Sequence, residues 1–368
     1  MSVAVHHGDC REIVPALGCQ VDSIVTDPPY HLTSTLARFG NIDIGADTAT
    51  SRRLRKKGDG AARLAHGFMN QQWDGGNISF DAETWRIIGA ALRPGGFLLA
   101  FGGTRTHHRL ACAIEDAGFV IQDCLMWLFG TGFPKRRDAL KPAYEPIVMA
   151  YKPGGKRALS INECRIGTGE DKGEWPITER RRADKGWGMS PIETNSAGRW
   201  PANILHDGSD EVVGMFPQAG GGFGKSGGSP DGNGIYNKGF PRGNMEIVGY
   251  GDSGSAARFF YSSKAGAQDR WGSRHPTVKP VELMKWLVAL VTPQGGTVLD
   301  CFAGSGTTGV AALATGRNAI LIEREDQYIA DIRERMAFYE GAGAHSVQAI
   351  NRNRTVDHGP LFAGEATS

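Results

Sequence analysis

The sequence lacks paired cysteines, long apolar runs and an excess of either charge. Its six cysteines are scattered and none lies in a Cys-x-x-Cys pair, which argues against a zinc ribbon, any other metal site or a disulfide framework, and indicates a reducing, cytoplasmic compartment. No run of about 18 apolar residues is present, so we expect no membrane span, and the charged residues among the first 20 argue against a signal peptide. With 41 basic and 39 acidic side chains, any basic surface must be local.

Glycine, by contrast, is abundant, with 52 of 368 residues, and the excess is local. Residues 214–256 hold 14 glycines in 43 positions. Such a stretch loses much conformational entropy on ordering and has little apolar surface to bury. It is therefore either a disordered linker or a mobile loop that closes on a bound partner, and the two interpretations are compatible.

Apolar strands alternate with amphipathic helices near both ends of the chain. Predicted strands cover residues 2–6, 22–26, 97–101, 119–127, 146–151, 297–301 and 319–323, and predicted helices cover 11–17, 85–92, 105–117, 281–291, 307–315 and 327–339. This alternation is typical of an α/β fold, with helices on both faces of a mostly parallel sheet. The strands at 119–127 and 146–151 are predicted to be an antiparallel edge pair.

The tetrapeptide Asp27-Pro28-Pro29-Tyr30 follows the predicted strand at 22–26. A carboxylate and a proline-fixed carbonyl can each accept one hydrogen of an exocyclic –NH2 group, and a tyrosine ring can stack on the planar base that carries it. The alternative interpretation is a strand followed by an ordinary turn. The tetrapeptide is thus a candidate site for a planar amine.

A glycine-rich turn, Gly304-x-Gly306-x-x-Gly309, follows the predicted strand at 297–301 and opens a helix. The pattern is also typical of dinucleotide-binding folds, so an NAD-dependent oxidoreductase is an alternative. Asp300 near the end of that strand would oppose a pyrophosphate, and it suits instead a cofactor that carries an ammonium and a sulfonium. Glu323 ends the next predicted strand, where a carboxylate can accept both ribose hydroxyl hydrogens of either cofactor.

Three blocks, at 27–30, 275–280 and 298–309, carry a family resemblance in this order. They resemble the motifs of DNA amino-methyltransferases, and their order resembles the beta group, whose motifs are circularly permuted. The resemblance implies a Rossmann-like methyltransferase fold with a seven-stranded, mostly parallel sheet and one antiparallel strand. It also implies transfer of a methyl group from S-adenosylmethionine to N6 of adenine or N4 of cytosine in DNA, with S-adenosylhomocysteine as the product. Aspartate rather than serine at position 27 favours a flipped-out adenine.

Other functions remain open at this point. An N4-cytosine methyltransferase is the alternative with the most similar chemistry. RNA and protein-glutamine methyltransferases more often begin the tetrapeptide with asparagine and place the cofactor loop before it. A catalytically silent DNA-binding protein is a further alternative, although Asp27, Tyr30, Asp300 and Glu323 are all intact.

The resemblance implies roles for individual residues. Catalysis would depend on Asp27, Pro28, Pro29 and Tyr30. Cofactor contacts would come from Asp9, Cys10, Asp27, His275, Thr277, Lys279, Asp300, Phe302, Ala303, Gly304, Ser305, Gly306, Thr307, Glu323 and Arg324. Asp9 would accept from the adenine edge of the cofactor, or alternatively be a helix N-cap before Arg11. Val278 stands where family members usually carry glutamine, which puts one polar contact in doubt.

We expect four segments along the chain: a catalytic half at 1–151 with a long loop at 31–80, a target-recognition region at 152–274, a cofactor-binding half at 275–340 and a polar tail at 341–368. Two basic clusters would meet DNA phosphates, or else form solvated surface. They are Arg52, Arg53, Arg55, Lys56 and Lys57, and Lys135, Arg136 and Arg137. The expected partners are double-stranded DNA and a second copy of the chain, while a restriction endonuclease partner is left open.

Overall fold

The computed structural model describes residues 1–31, 77–130, 132, 140–166, 199–219, 254–263, 267–271, 273 and 275–342. In chain order the elements are β1 (Val3–His7), α1 (Cys10–Ala16), β2 (Val21–Thr26), α2 (Ala82–Ala91), β3 (Leu92–Phe101), α3 (His107–Asp116), β4 (Val120–Leu128), β5 (Tyr144–Tyr151), β6 (Ile204–His206), α4 (Asp210–Val213), β7 (Gln218–Ala219), β8 (Gly254–Ser255), β9 (Tyr261–Ser262), α5 (Val281–Val291), β10 (Thr297–Asp300), α6 (Thr307–Ala314), β11 (Asn318–Glu323) and α7 (Asp326–Ala342). Short 3-10 turns lie at Ile78–Phe80, Ile161–Cys164, Ala256–Phe259 and Ala267–Arg270.

The main sheet has the strand order β1-β11-β10-β2-β3-β5-β4-β6-β9. Among the strands of the described residues, only β5 runs antiparallel to its neighbours in this sheet, which confirms the predicted mostly parallel sheet. The sheet has nine strands rather than the seven expected, because the region at 152–274 adds β6 and β9 beyond the predicted edge. Both are short, at three and two residues, and carry no long apolar run that would mark them in the sequence.

Strands from the N-terminal and C-terminal halves of the chain pair with each other inside this sheet. Strand β10 pairs with β2, with Leu299 opposite Ile24, and β11 pairs with β1. The carboxyl ends of β2, β10 and β11 therefore lie along one edge of the sheet, where open α/β folds bind their ligands. Because β5 runs the opposite way, it brings its amino end to that same edge.

The core lies on both faces of the sheet. Along β3, Leu99 packs into the cluster that contains α5 and α6, whereas Leu98 packs into the cluster that contains α2 and α3, and both side chains are fully buried. Successive residues of a strand point to opposite faces, so a strand covered on both faces is apolar throughout. This confirms the predicted layers of helices.

Local signals fix several element ends. The Asp81 side chain accepts from the Glu83 N–H and starts α2. Gly118, with φ of 96°, follows the end of α3, and its N–H donates to the Glu115 carbonyl. Helix α7 extends to Ala342, slightly past the start of the expected tail. In the part of the chain that the structure covers, no helix has the length and hydropathy to cross a membrane.

Candidate active site

The tetrapeptide at 27–30 directly follows β2, and its backbone is held from two sides. The Ser79 hydroxyl donates to the Pro29 carbonyl at 2.6 Å, and the Thr106 hydroxyl donates to the Tyr30 carbonyl at 3.0 Å. Ser79 is in turn fixed by the fully buried Trp85, whose indole N–H donates to the Ser79 carbonyl at 2.9 Å. The loop is thus preorganised by α2, α3 and the turn before α2.

The two carboxylate oxygens of Asp27 have different surroundings. Oδ2 accepts from the Lys279 ammonium at 2.6 Å, whereas Oδ1 is buried and accepts no hydrogen bond from any residue that the structure describes. A buried acceptor without a donor costs free energy. The neighbouring Pro28 is also buried, and among the described residues none donates to its carbonyl. Two acceptors on consecutive residues thus have no donor among the described residues.

Lys279 lies at the centre of a charged cluster. Its Nζ lies 2.6 Å from Asp27 Oδ2, 3.1 Å from Glu145 Oε2 and 3.2 Å from the Tyr30 hydroxyl. Burial would lower the pKa of Lys279, but the two carboxylates more than offset this and raise it to about 12. Lys279 was predicted among the cofactor contacts, and the structure brings it to the Asp27 carboxylate.

Tyr30 is tied into the same cluster by its hydroxyl group. That hydroxyl donates to Glu145 Oε2 at 3.3 Å. Burial, together with the charges of Asp27 and Glu145, raises the pKa of Tyr30 well above its usual value, so the phenol stays neutral. The hydroxyl contact restrains the ring at the position where the sequence predicts base stacking, and the stacking itself stays a prediction.

Glu145 was missed by sequence reasoning. It is the second residue of β5, and the predicted strand began one residue later. The signal that could have found it is the expected antiparallel pairing, because an antiparallel strand places its first residues at the edge where the parallel strands end.

The glycine-rich turn after β10 has the backbone that its sequence requires. Gly304 and Gly306 have φ of 53° and 74°, in the left-handed region that favours glycine. The Gly304 N–H donates to Glu323 Oε2 at 2.7 Å, and the buried Arg335 donates to the Ser305 carbonyl at 2.9 Å. The turn is thus fixed to β11 and α7, and Ala303, Ser305 and Thr307 are all buried within it.

Asp300 is held inside the protein by hydrogen bonds. Its Oδ1 accepts from Thr26 at 2.6 Å and from the Phe302 N–H at 3.1 Å, and its Oδ2 accepts from Thr308 at 2.5 Å. Burial raises its pKa to about 6, although these donors act in the opposite direction. The carboxylate therefore ties β10 to β2 and α6, and its predicted contact with a cofactor ammonium stays a prediction.

The 275–280 segment lies against the glycine turn. A Cβ on Gly304 would come within 3.1 Å of the His275 ring, and that ring packs edge-on against Tyr328 with centroids 4.6 Å apart. His275 Nδ1 lies 2.6 Å from the Thr277 carbonyl oxygen, and burial lowers the pKa of the ring. The His275 ring thus lies against the turn and contacts Thr277, and Phe302 at the start of the turn is partly buried. Cofactor contacts by these three residues stay predictions.

The first loop favours the alternative interpretation of Asp9. Asp9 is the N-cap of α1, and its two oxygens accept from the backbone and guanidinium of Arg11 at 2.6–3.0 Å. The Arg11 hydrogen bonds lower the pKa of Asp9. Cys10 is buried next to Cys301, and Arg324 pairs with Glu325 at the surface. Cofactor contacts by Asp9, Cys10 and Arg324 stay predictions.

The eight residues predicted to contact DNA have no described position in the structure. Arg52, Arg53, Arg55, Lys56, Lys57, Lys135, Arg136 and Arg137 lie outside the described residues.

Comparisons with known proteins agree with this geometry. A family model described as DNA methylase, of the N6/N4 methyltransferase type, matches residues 21–334. The chain is 41% identical over 68 residues to the type II methyltransferase M2.DpnII of Streptococcus pneumoniae, covering 18% of this chain and 25% of that protein. It is 37% identical over 81 residues to the DNA adenine methyltransferase YhdJ of Escherichia coli K12, covering 22% and 28%. These matches span under a third of each relative.

Among solved structures, the M1.HpyAVI–SAM complex is similar over 91% of this chain and 98% of that one, with 18% identity and a TM-score of 0.45. The match to the family model carries more weight, because it includes the tetrapeptide, the 275–280 segment and the glycine turn. Since it extends over most of the sequence, the chain belongs to the N6/N4 family of DNA methylases.

Proposed function

We propose that the chain transfers a methyl group from S-adenosylmethionine to the exocyclic N6 of an adenine in double-stranded DNA. The observation that carries this proposal is the buried Asp27 Oδ1, which has no donor among the described residues and is followed in the chain by Pro28, whose carbonyl also has none among them. An exocyclic base amine offers two N–H donors to two such acceptors.

Accepting both amine hydrogens activates the nucleophile. The lone pair of a base amine is delocalised into the ring, which makes the nitrogen weakly nucleophilic. Hydrogen bonds to Asp27 and Pro28 favour a pyramidal nitrogen, whose lone pair is then available for attack. The activated nitrogen would take the electrophilic methyl group that the bound cofactor would supply, leaving its sulfur as a neutral thioether, and the Asp27 carboxylate would accept the one proton that the nitrogen releases. Most of the rate enhancement comes from positioning and electrostatics.

The glycine turn and its surroundings fit S-adenosylmethionine. The left-handed Gly304 and Gly306 give the tight turn between β10 and α6 that the cofactor motif requires. Each Glu323 oxygen accepts one backbone N–H and keeps a lone pair for a ribose hydroxyl. When bound, S-adenosylmethionine supplies an electrophilic methyl group on its sulfonium.

The target amine is paired inside duplex DNA, so the base must leave the stack to reach Asp27. Within the proposal Tyr30 stacks on the flipped base, because aromatic rings stack on bases of any sequence. Within the proposal, the region at 152–274 reads the recognition sequence and the basic clusters at 52–57 and 135–137 contact phosphates.

Adenine is favoured over cytosine by Asp27 and by the similarity to the adenine methyltransferase YhdJ. Cytosine N4 is the second candidate, because its exocyclic amine offers the same two hydrogens to the same two acceptors. The experiment is incubation of the purified protein with DNA and isotopically labelled S-adenosylmethionine, followed by nucleoside digestion and mass spectrometry. We expect labelled N6-methyladenine. Label in N4-methylcytosine alone would establish the second candidate, and DNA binding without any label would indicate a silent binding protein.

A further inference from the structure

The ammonium of Lys279 has three hydrogens and three acceptors around it. Two of the acceptors are Glu145 Oε2 at 3.1 Å and the Tyr30 hydroxyl at 3.2 Å. The third is Asp27 Oδ2 at 2.6 Å. The side chain of Lys279 is only 10% exposed, so water has little room to replace any of them. An ammonium satisfied in this way has no hydrogen left for Asp27 Oδ1.

Glu145 stands in this cluster because of the sheet topology. Strand β5 is antiparallel to β3 and β4, with Glu145 opposite Trp127 near the carboxyl end of β4. The side chain is 24% exposed and lies within reach of both Tyr30 and Lys279. It touches neither the glycine turn nor the Pro28 carbonyl among the contacts of the described residues.

Glu145 also sets the charge of the cluster. With Glu145 ionised, two carboxylates and one ammonium leave a net charge of about −1 next to the target amine. Without it the net charge is about zero. Methyl transfer places positive charge on the nitrogen, and preorganised negative charge at that point stabilises the transition state.

We propose that Glu145 is a positioning residue, which together with Tyr30 anchors Lys279 on Asp27 Oδ2 so that Oδ1 stays open to the amine. The inference deepens the proposed function and depends on it. Its chemistry predicts that removing the charge of Glu145 weakens this anchor, so that the ammonium can turn a hydrogen towards Oδ1, where it competes with the base.

The variant that tests this is Glu145→Gln, which keeps the shape and removes the charge. Its matched control is Glu282→Gln, because Glu282 also pairs with a lysine, Lys285 at 2.9 Å, on the outer side of α5. Both variants are assayed in single turnover with saturating labelled S-adenosylmethionine and the DNA substrate of the wild type. We expect Glu145→Gln to slow methyl transfer roughly 10- to 100-fold, the scale of a small misplacement of reacting groups, with unchanged affinity for S-adenosylmethionine.

A pH profile separates positioning from a general loss of structure. In the variant, burial lowers the pKa of Lys279 and only one carboxylate opposes that effect, so Lys279 loses its charge at lower pH than in the wild type. Of the other titratable groups near it, His275 has a lowered pKa, Asp300 titrates at about 6, and Tyr30 stays neutral. The pKa of Lys279 is about 12 in the wild type, so we expect no fall in rate from this group below that pH in the wild type. In the variant we expect this fall, the alkaline limb of the rate, at lower pH, because a neutral amine holds Asp27 Oδ2 less strongly than an ammonium does.

The outcomes are distinguishable. If the wild type methylates DNA and Glu145→Gln matches it in both rate and alkaline limb, the role of Glu145 is overturned while the proposed function stands. If the wild type methylates no DNA under any condition, both fail. A slowed variant with a shifted alkaline limb, beside an unaffected Glu282→Gln, supports the inference.

Discussion

The ammonium of Lys279 lies 2.6 Å from a carboxylate oxygen of Asp27, although 252 positions separate the two residues. Asp27 follows a strand of the N-terminal half, and Lys279 precedes the first helix of the C-terminal half. The contact exists only because β10 pairs with β2 in the middle of the sheet. The Asp27 carboxylate is therefore oriented by the half of the chain that also carries the glycine turn.

The tight packing of Gly309 is the basis of a first prediction. A Cβ there would lie 2.7 Å from Met336 Sδ and 2.8 Å from Leu321 Cδ1. Gly309→Ala should lower the free energy of unfolding by about 1–3 kcal/mol, the usual cost of overpacking. The control is Gly341→Ala in α7, where a Cβ meets nothing within 4 Å, and which should be neutral or stabilise by up to about 1 kcal/mol. If the two variants unfolded at the same urea concentration, the tight packing around Gly309 would be contradicted.

The raised pKa of Asp300 predicts a pH-dependent stability. Burial raises it from 3.8 to about 6, so the native state holds the proton more tightly than the unfolded state does. The resulting stabilisation is complete below about pH 4 and is lost as pH rises through about 6. Asp300→Asn has no such titration. The difference in unfolding free energy between wild type and variant should therefore change across this window in urea titrations, and a constant difference would be contrary to the prediction.

The sequence predicts the parts of the site that depend on local pattern. Asp27, Asp300 and Glu323 could be found because each ends or follows an apolar strand. Glu145, Ser79 and Thr106 could not, because their contacts depend on which strands and turns pack together. The ion pair of Lys279 with Asp27 was not predicted for the same reason. The sequence of the 275–280 block indicates only a cofactor-binding segment, and the pairing of β10 with β2 is what brings the two side chains together.

We predict that the basic clusters at 52–57 and 135–137 contact DNA phosphates. Neutralising either cluster should weaken binding to all DNA sequences, because phosphate contacts carry no sequence information. The logarithm of the binding constant should depend less steeply on salt, by about one unit of slope for each phosphate that the variant no longer neutralises. Fluorescence anisotropy across a salt series measures both quantities. Unchanged affinity and slope would assign the clusters to solvated surface.

We also expect a homodimer, because a palindromic DNA site presents the same sequence on both strands and two-fold symmetry matches it. Light scattering at micromolar concentration should give about twice the chain mass of 39.5 kDa. A mass equal to one chain, with and without DNA, would exclude the dimer.

The central claim is that Asp27 activates a base amine for methylation. The most direct measurement is base-resolved sequencing of methylation in plasmid DNA from cells that express either the wild type or Asp27→Ala, with circular dichroism to verify that the variant folds. We expect N6-methyladenine at one recurring sequence with the wild type. With Asp27→Ala we expect a loss of methyl transfer of at least about 100-fold, the scale of one preorganised polar group. Plasmid methylation by a folded Asp27→Ala protein at the wild-type level would contradict the account.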